Sequence, residues 1–251
     1  MSTFFSNPKS GFLINKKEII KAMGHFIDSG EYILGSNVDF FEKEMCSYLG
    51  GKGYFVSCAN GTDAITLALL SYGINSGKVI VPSHTATASV IGIQKAGCAP
   101  VFVDVSPKTL LMSIDEIEKA LKKYKNIKAI LAVHLYGTGI DISQLKKIAK
   151  KYHCVVIEDC AQSHGTKIRN KQAGTIASAG TFSFFPTKNL PALGDGGGIW
   201  VPAKKVRDKA ISLRQYGWNH KRIVTNINGF NSRLDEIQAT ILRIRIKNLN
   251  K

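Results

Sequence analysis

The chain has 251 residues, 44% of them hydrophobic and 21% charged, which is enough to bury a core of one or two domains and excludes a disordered polymer. Lysine and arginine number 34 against 18 aspartates and glutamates, a formal charge of +16. The lysines are scattered over helical stretches, with no helix-turn-helix, zinc-finger or RNA-recognition pattern, so the excess suits an acidic small substrate better than a nucleic acid.

No run approaches the roughly eighteen apolar residues of a membrane span, and no apolar signal segment follows Met1. Five cysteines (Cys46, Cys58, Cys98, Cys154, Cys160) without a C-x-x-C pair suit reduced thiols. A cytoplasmic chain with no membrane partner is expected.

From Tyr54 onward, short Val- and Ile-rich runs alternate with helical periodicity. Strands are predicted at 54–58, 78–81, 100–104, 128–133 and 154–157, with helices over 62–72, 88–95, 113–123 and 142–152 between them. Ser113 followed by Glu116 marks a capping-box start. Strands apolar on both faces, alternating with helices, predict an α/β fold with a mostly parallel central sheet covered by helices. Beyond Asp159, strands are expected at 179–185 and 198–201 around the glycine-rich turn 194–198, then a helix over 204–215 and a polar stretch over 216–231. A last helix starts at Leu234 and is cut at Lys251 in mid-pattern, without a cap or turn signal, so the chain reads as truncated. Its Leu234, Ile237, Ile241, Leu242 and Ile244 are expected to leave an apolar stripe in water unless a second subunit covers it.

In an open parallel sheet, ligands sit at the carboxyl ends of the strands. Asn60-Gly61-Thr62-Asp63 opens a helix there; its free N–H groups suit a phosphate, or it is a plain capped helix start. G-x-G-x-x-G and P-loop patterns are absent. Glu158-Asp159 ends a strand, where a carboxylate serves as metal ligand, base, partner of a protonated heterocycle, or helix cap. The six histidines (His25, His84, His134, His153, His164, His220) show no H-E-x-x-H and no paired spacing, so no metal site is expected. His164 lies five residues past Asp159 and is a candidate for the same pocket. Lys188 stands apart from the helix-face lysines, in the apolar connection Phe184-Phe185-Pro186-Thr187-Lys188-Asn189-Leu190. A lysine desolvated there has a lowered pKa and is able to form a Schiff base.

Five blocks occur in order: 57–64 (Ser-Cys-Ala-Asn-Gly-Thr-Asp-Ala), 158–165 (Glu-Asp-Cys-Ala-Gln-Ser-His-Gly), 182–190, Gly194-Asp195-Gly196-Gly197, and 229–239 (Gly-Phe-Asn-Ser-Arg-Leu-Asp-Glu-Ile-Gln-Ala). Together they resemble the DegT/DnrJ/EryC1/StrS family of pyridoxal-phosphate-dependent nucleotide-sugar aminotransferases, from about Gly30 to the end of the chain. The 192–197 block is most like the branch that aminates a 3-keto-6-deoxyhexose on a dTDP carrier. The resemblance implies an aspartate-aminotransferase-like (fold type I) large domain over 36–233, an N-terminal arm and helix over 1–35, and over 234–251 the start of a helix leading to an absent small domain.

By the same resemblance Lys188 is the Schiff-base lysine and proton shuttle, and Asp159 partners the pyridine nitrogen. Gln162 lies near the ring's phenolic oxygen, and Gly61, Thr62 and Ser183 hold the phosphate. Asn231 reaches that phosphate from the other subunit of a homodimer. Where the family commonly stacks an aromatic ring on the cofactor, this sequence has Ala86, and His84 is the candidate to stack instead. The implied substrates are a nucleotide-linked keto-sugar and an amino-acid donor, glutamate, feeding cell-surface polysaccharide or O-antigen sugars. A sugar dehydratase on the same fold would carry histidine in place of Lys188. A truncated remnant that binds cofactor or sugar without turnover is the other alternative.

Overall fold

The structure is a computed structural model and describes residues 7–219 and 222–249. Helices α1 (Pro8–Ile14), α2 (Lys16–Ser29) and α3 (Ser36–Tyr48) precede β1 (Tyr54–Cys58) and α4 (Gly61–Ser71). The alternation continues through β2 (Lys78–Pro82), α5 (Thr87–Lys95), β3 (Ala99–Val103), α6 (Ile114–Lys123), β4 (Ile127–Val133), α7 (Ile142–Lys151) and β5 (Val155–Asp159). A small hairpin follows, β6 (Lys167–Ile168) and β7 (Lys171–Gln172), then β8 (Ala179–Ser183), β9 (Gly197–Val201), α8 (Lys204–Leu213) and α9 (Glu236–Ile246). Seven strands form one sheet in the order β1-β9-β8-β5-β4-β2-β3. The pairings β3–β2, β2–β4, β4–β5 and β5–β8 are parallel, whereas β9 runs antiparallel to both β8 and β1. The strands read beyond Asp159 therefore reverse the sheet's direction once, and β1, β5 and β8 all end on the same edge.

Three helix starts, those of α4, α6 and α7, are capped by a side chain. The Ser113 hydroxyl accepts from the Glu116 N–H at 3.4 Å, and Asp141 caps α7 through the Ser143 and Gln144 N–H groups. Both α6 and α7 finish on lysine pairs that suit the negative end of the helix dipole. Every residue of α4 from Asp63 to Ser71 is buried, because α4 packs on β8 and β9 beneath α5 and α8.

The core has a large aliphatic part, with Val56, Leu67, Ile80, Ile130, Ile157 and Ile199, and an aromatic part around Phe41, Phe55, Phe182, Phe184 and Trp200. That second part and a small cluster around Ile19 bring a correction to the expected apolar stripe. Leu234, Ile241, Leu242 and Ile244 are all buried and Ile237 half-buried, because α9 lies against α3 and α2. The amphipathic α2 and α3 supply within one chain the cover that a second subunit was expected to give. The polar stretch after Tyr216 folds back on itself, with bridges pairing Gln215 to Asn231 and Trp218 to Val224. His220 lies outside the described residues. Among the described residues no helix is long and apolar enough to cross a membrane, and all five cysteines are free.

Candidate active site

A cavity of about 230 Å³ opens at the carboxyl edge shared by β1, β5 and β8. It gathers five of the residues singled out in the sequence: Gly61, Thr62, Asp159, Ser183 and Lys188. An adjoining recess of about 20 Å³ brings Gln162 to Asp159 and Lys188.

The phosphate-type end is made by the start of α4. Asn60 is extended and its side-chain oxygen accepts from the Asp63 N–H at 2.8 Å, leaving the Gly61 and Thr62 N–H groups toward the cavity end of the helix. Glycine at 61 is needed for close approach: a Cβ there would stand 2.7 Å from that of Ser183. Gly197 is needed likewise, since its Cβ would fall 2.3 Å from the Asn60 carbonyl. The glycine-rich turn thus lets β9 press the α4 N-terminus against the end of β8.

At the opposite wall Asp159 ends β5. Its Oδ2 accepts from the Ser89 hydroxyl at 2.9 Å and its Oδ1 from the Ala161 N–H at 3.1 Å. Because Ser89 spends its proton on Asp159, Thr85, 2.9 Å away, is the donor to Ser89. Burial raises the Asp159 pKa, against the lowering by these two hydrogen bonds and by the Lys188 charge. A buried carboxylate so placed has strong use for a cationic partner. Lys188 follows a tight turn in which its N–H donates to the Phe185 carbonyl at 2.8 Å. Bonds from Phe184 to Gly196 and from Ala192 to Phe184 hold that turn at the cavity wall. Gln162 accepts from the Tyr136 N–H at 2.9 Å, and Tyr136 sits at φ 53°, in the left-handed region.

Other residues lie elsewhere. Ala86 lines the cavity, while His84 is exposed outside its lining, its ring centroid 6.1 Å from that of Tyr136. Asn231 is exposed and also outside the lining. His164 does not line the cavity; it packs on Phe182 and Phe184, with both ring nitrogens buried and without partners, and burial lowers its pKa to about 4. Ser89 and Asp195, which line the cavity, were not singled out from the sequence. Ser89 carried a signal: with Thr85 it places two hydroxyls one helical turn apart just past the end of β2.

Glu158, the neighbour of Asp159, has a different part. Its carboxylate accepts from the Gly174, Ile176 and Ala177 N–H groups at 2.7–2.9 Å and meets the His134 Nε2 at 3.0 Å. His134 Nδ1 accepts from the Ile140 N–H, so Nε2 carries the proton given to Glu158. The ligand atoms of His134, Glu158 and Cys160 lie within 4.8 Å of one another, as metal ligands would. Every imidazole and carboxylate atom there is already engaged, and burial pushes the Cys160 thiol well above its ordinary pKa. The cluster is a clamp that fixes the end of β5 rather than an open metal centre.

A primary amine, a buried carboxylate and a helix N-terminus around one small cavity are the donor set a phosphorylated pyridine aldehyde requires. The residues present therefore fit pyridoxal phosphate, and the sheet with its flanking helices is the large domain of a fold-type I aminotransferase. The chain belongs to the DegT/DnrJ/EryC1/StrS aminotransferase family, which matches residues 14–251. It is 45% identical over 236 residues to the dTDP-3-amino-3,6-dideoxy-alpha-D-galactopyranose transaminase of Aneurinibacillus thermoaerophilus, covering 94% of this chain and 64% of that protein. It is 40% identical to the dTDP-3-amino-3,4,6-trideoxy-alpha-D-glucose transaminase of Micromonospora megalomicea subsp. nigra, covering 94% and 62%. The crystal structure of S. venezuelae DesV in complex with a ketimine intermediate superimposes with a TM-score of 0.94 at 35% identity, covering 98% of this chain and 66% of that one. The chain thus spans less than two thirds of the length of these relatives.

Proposed function

We propose that the chain carries the catalytic site of a pyridoxal-phosphate-dependent aminotransferase. Its acceptor is the C3 keto group of a dTDP-linked 6-deoxyhexose, its amino donor glutamate, and it works as a cytoplasmic homodimer in the synthesis of surface-polysaccharide sugars. The observation that carries this reading is the convergence of Lys188, Asp159, Ser183 and the α4 N-terminus on one cavity. The names of the two transaminases above support the substrate class, and five free cysteines support the compartment.

Pyridoxal phosphate, when bound, supplies an aldehyde that exchanges amines and a ring that withdraws electrons. The Gly61 and Thr62 N–H groups and the Ser183 hydroxyl would hold the phosphate. Asp159 would keep a proton on the ring nitrogen, its own charge stabilised by the Ser89 and Ala161 donors. Lys188 Nζ would anchor the aldehyde and then take and return the transferred proton as general base. Gln162, already tied to Tyr136, would stand by the phenolic oxygen, and His84, which lies outside the lining, would have to turn inward to stack on the ring. Asn231, exposed and outside its own cavity, would enter the neighbouring subunit's site.

The test is the absorbance spectrum of the purified chain with added pyridoxal phosphate, followed by borohydride reduction and peptide mapping. A visible band and a modified peptide containing Lys188 are expected. Modification elsewhere, or no band, overturns the assignment. Cofactor retention without amino transfer to a dTDP-keto-sugar would leave a binding protein in place of an enzyme.

A further inference from the structure

The helix that meets the phosphate carries a carboxylate in its first turn. Asp63 is 4% exposed, two residues after Gly61, and its field opposes an anion at the α4 N-terminus. Among the described residues lining the cavity, Lys188 is the one cation, set against Asp159 and Asp195. The lining alone is therefore a poor host for a phosphate dianion.

Lys95 alters that balance. It is the last residue of α5, and its ammonium bonds the Asp63 Oδ1. The contact depends on how closely the two helices pack: a Cβ on Gly92 would stand 2.8 Å from the Thr62 carbonyl, and the Thr66 hydroxyl donates to the Gly92 carbonyl at 3.0 Å. The same ammonium lies 5.7 Å from the centre of the Phe230 ring. The second oxygen of Asp63 accepts from the Ser232 hydroxyl at 2.8 Å, and Ser232 in turn accepts from the Ala59 N–H at 3.1 Å. One carboxylate thus joins three things: the turn leading into α4, the ammonium from α5, and the segment 230–233 that carries Asn231.

We propose that Lys95 is a positioning residue for the phosphate site: by neutralising Asp63 it lets the α4 N-terminus accept a dianion, while Asp63 keeps its other oxygen for Ser232 and so ties the segment that carries Asn231 to the turn before α4. This rests on the cavity being a phosphate-cofactor site. Asp63 has a structural duty, which explains a carboxylate where it opposes a bound anion; Lys95 makes that duty compatible with binding one. A lysine merely decorating the end of α5 would leave anion affinity unchanged when removed.

The experiment titrates inorganic phosphate and, separately, pyridoxal phosphate into the cofactor-free chain by calorimetry at fixed ionic strength, for the wild type and four variants. Lys95→Met leaves Asp63 unpaired and is expected to weaken phosphate binding on the order of tenfold. Lys95→Arg keeps the charge and stays close to wild type. Asp63→Asn removes the opposing charge while keeping an oxygen for Ser232, and binds phosphate at least as tightly as wild type. The double variant Lys95→Met/Asp63→Asn recovers to within about threefold of wild type. A folded Lys95→Met with unchanged affinity overturns the inference, as does a double variant no better than Lys95→Met, or a wild type that binds no phosphate. Should Lys95→Met not fold, Asp63→Asn alone decides: weakened phosphate binding overturns the proposal. Phosphate results as expected, with no pyridoxal phosphate bound, would sink the cofactor reading and leave the ion-pair role standing.

Discussion

Asp159 and His164 are both buried, yet only one faces the cavity, and their chemistry differs accordingly. Asp159 keeps two donors and lies beside a lysine, so its charge is provided for even though burial raises its pKa. Asp159→Asn keeps the shape and removes the charge; amino transfer should fall by orders of magnitude, on the order of 100-fold or more, with little change in the unfolding midpoint. Steady-state rates beside a urea titration check this, and near-normal turnover would confine Asp159 to holding the turn after β5, where the structure has no helix for it to cap.

His164 has no partner for either nitrogen and stays neutral down to about pH 4, below the ordinary histidine value of 6.5. A depressed folded-state pKa means the unfolded chain takes the proton first. Its stabilising contribution is complete above about pH 6.5 and is lost as the pH falls toward 4. At about pH 5 the loss through this residue is about 2 kcal/mol relative to neutral pH. Denaturant titrations at the two pH values should show that difference in the wild type and a flatter profile in His164→Phe. An equal acid sensitivity in both proteins would assign it to other groups.

At the scale of elements, the α4 N-terminus is where folding and the proposed phosphate binding would use the same groups. Asn60 caps the helix, and its replacement by alanine should cost about 1 kcal/mol of stability. Gly61→Ala puts a methyl against Ser183, so the end of β8 must move; a loss of about 1–3 kcal/mol and weaker phosphate binding are expected. Thermal unfolding with and without phosphate separates the two: Asn60→Ala should lower both midpoints alike, whereas Gly61→Ala should also shrink the gap between them. A Gly61→Ala protein with the full phosphate shift would mean that the α4–β8 contact is not part of the anion site.

For the whole molecule, the proposed homodimer makes a prediction that no single-chain property imitates. Lys188→Ala and Asn231→Ala disable different contributions to one site, so mixed subunits should regenerate a site intact in both. Recovery toward about one quarter of wild-type activity per site is expected on random exchange. No recovery from subunits shown by light scattering to exchange would confine Asn231 to its own chain. The packing of α9 bears on this: with Leu234, Ile241 and Leu242 already covered by α2 and α3, any dimer contact must come from other surfaces. Ile223, Val224 and Ile227, in the same 216–231 stretch as Asn231, are exposed apolar residues outside α9.

What the sequence determined by itself was whatever depends on neighbours along the chain. The strand-helix alternation was legible because apolar runs and their caps are local. Gly61-Thr62 and Asp159 drew notice as polar residues just past apolar strands, and Lys188 as a lysine in an apolar connection, while Ser183 was reached only through the family resemblance. Tertiary structure decided the rest. Lys95 and Asp63 are 32 residues apart, and Ser232 and Asp63 169 apart, so no spacing rule links them. The turning of β9 against β8, the burial of α4 on every side and the covering of α9 by α2 and α3 were decided there too. So was the placing of Ala86 rather than His84 at the cavity, and of His164 behind the sheet among phenylalanines. Each depends on which surfaces meet once the chain has folded, and apolar patterning states that a face must be covered without stating what covers it.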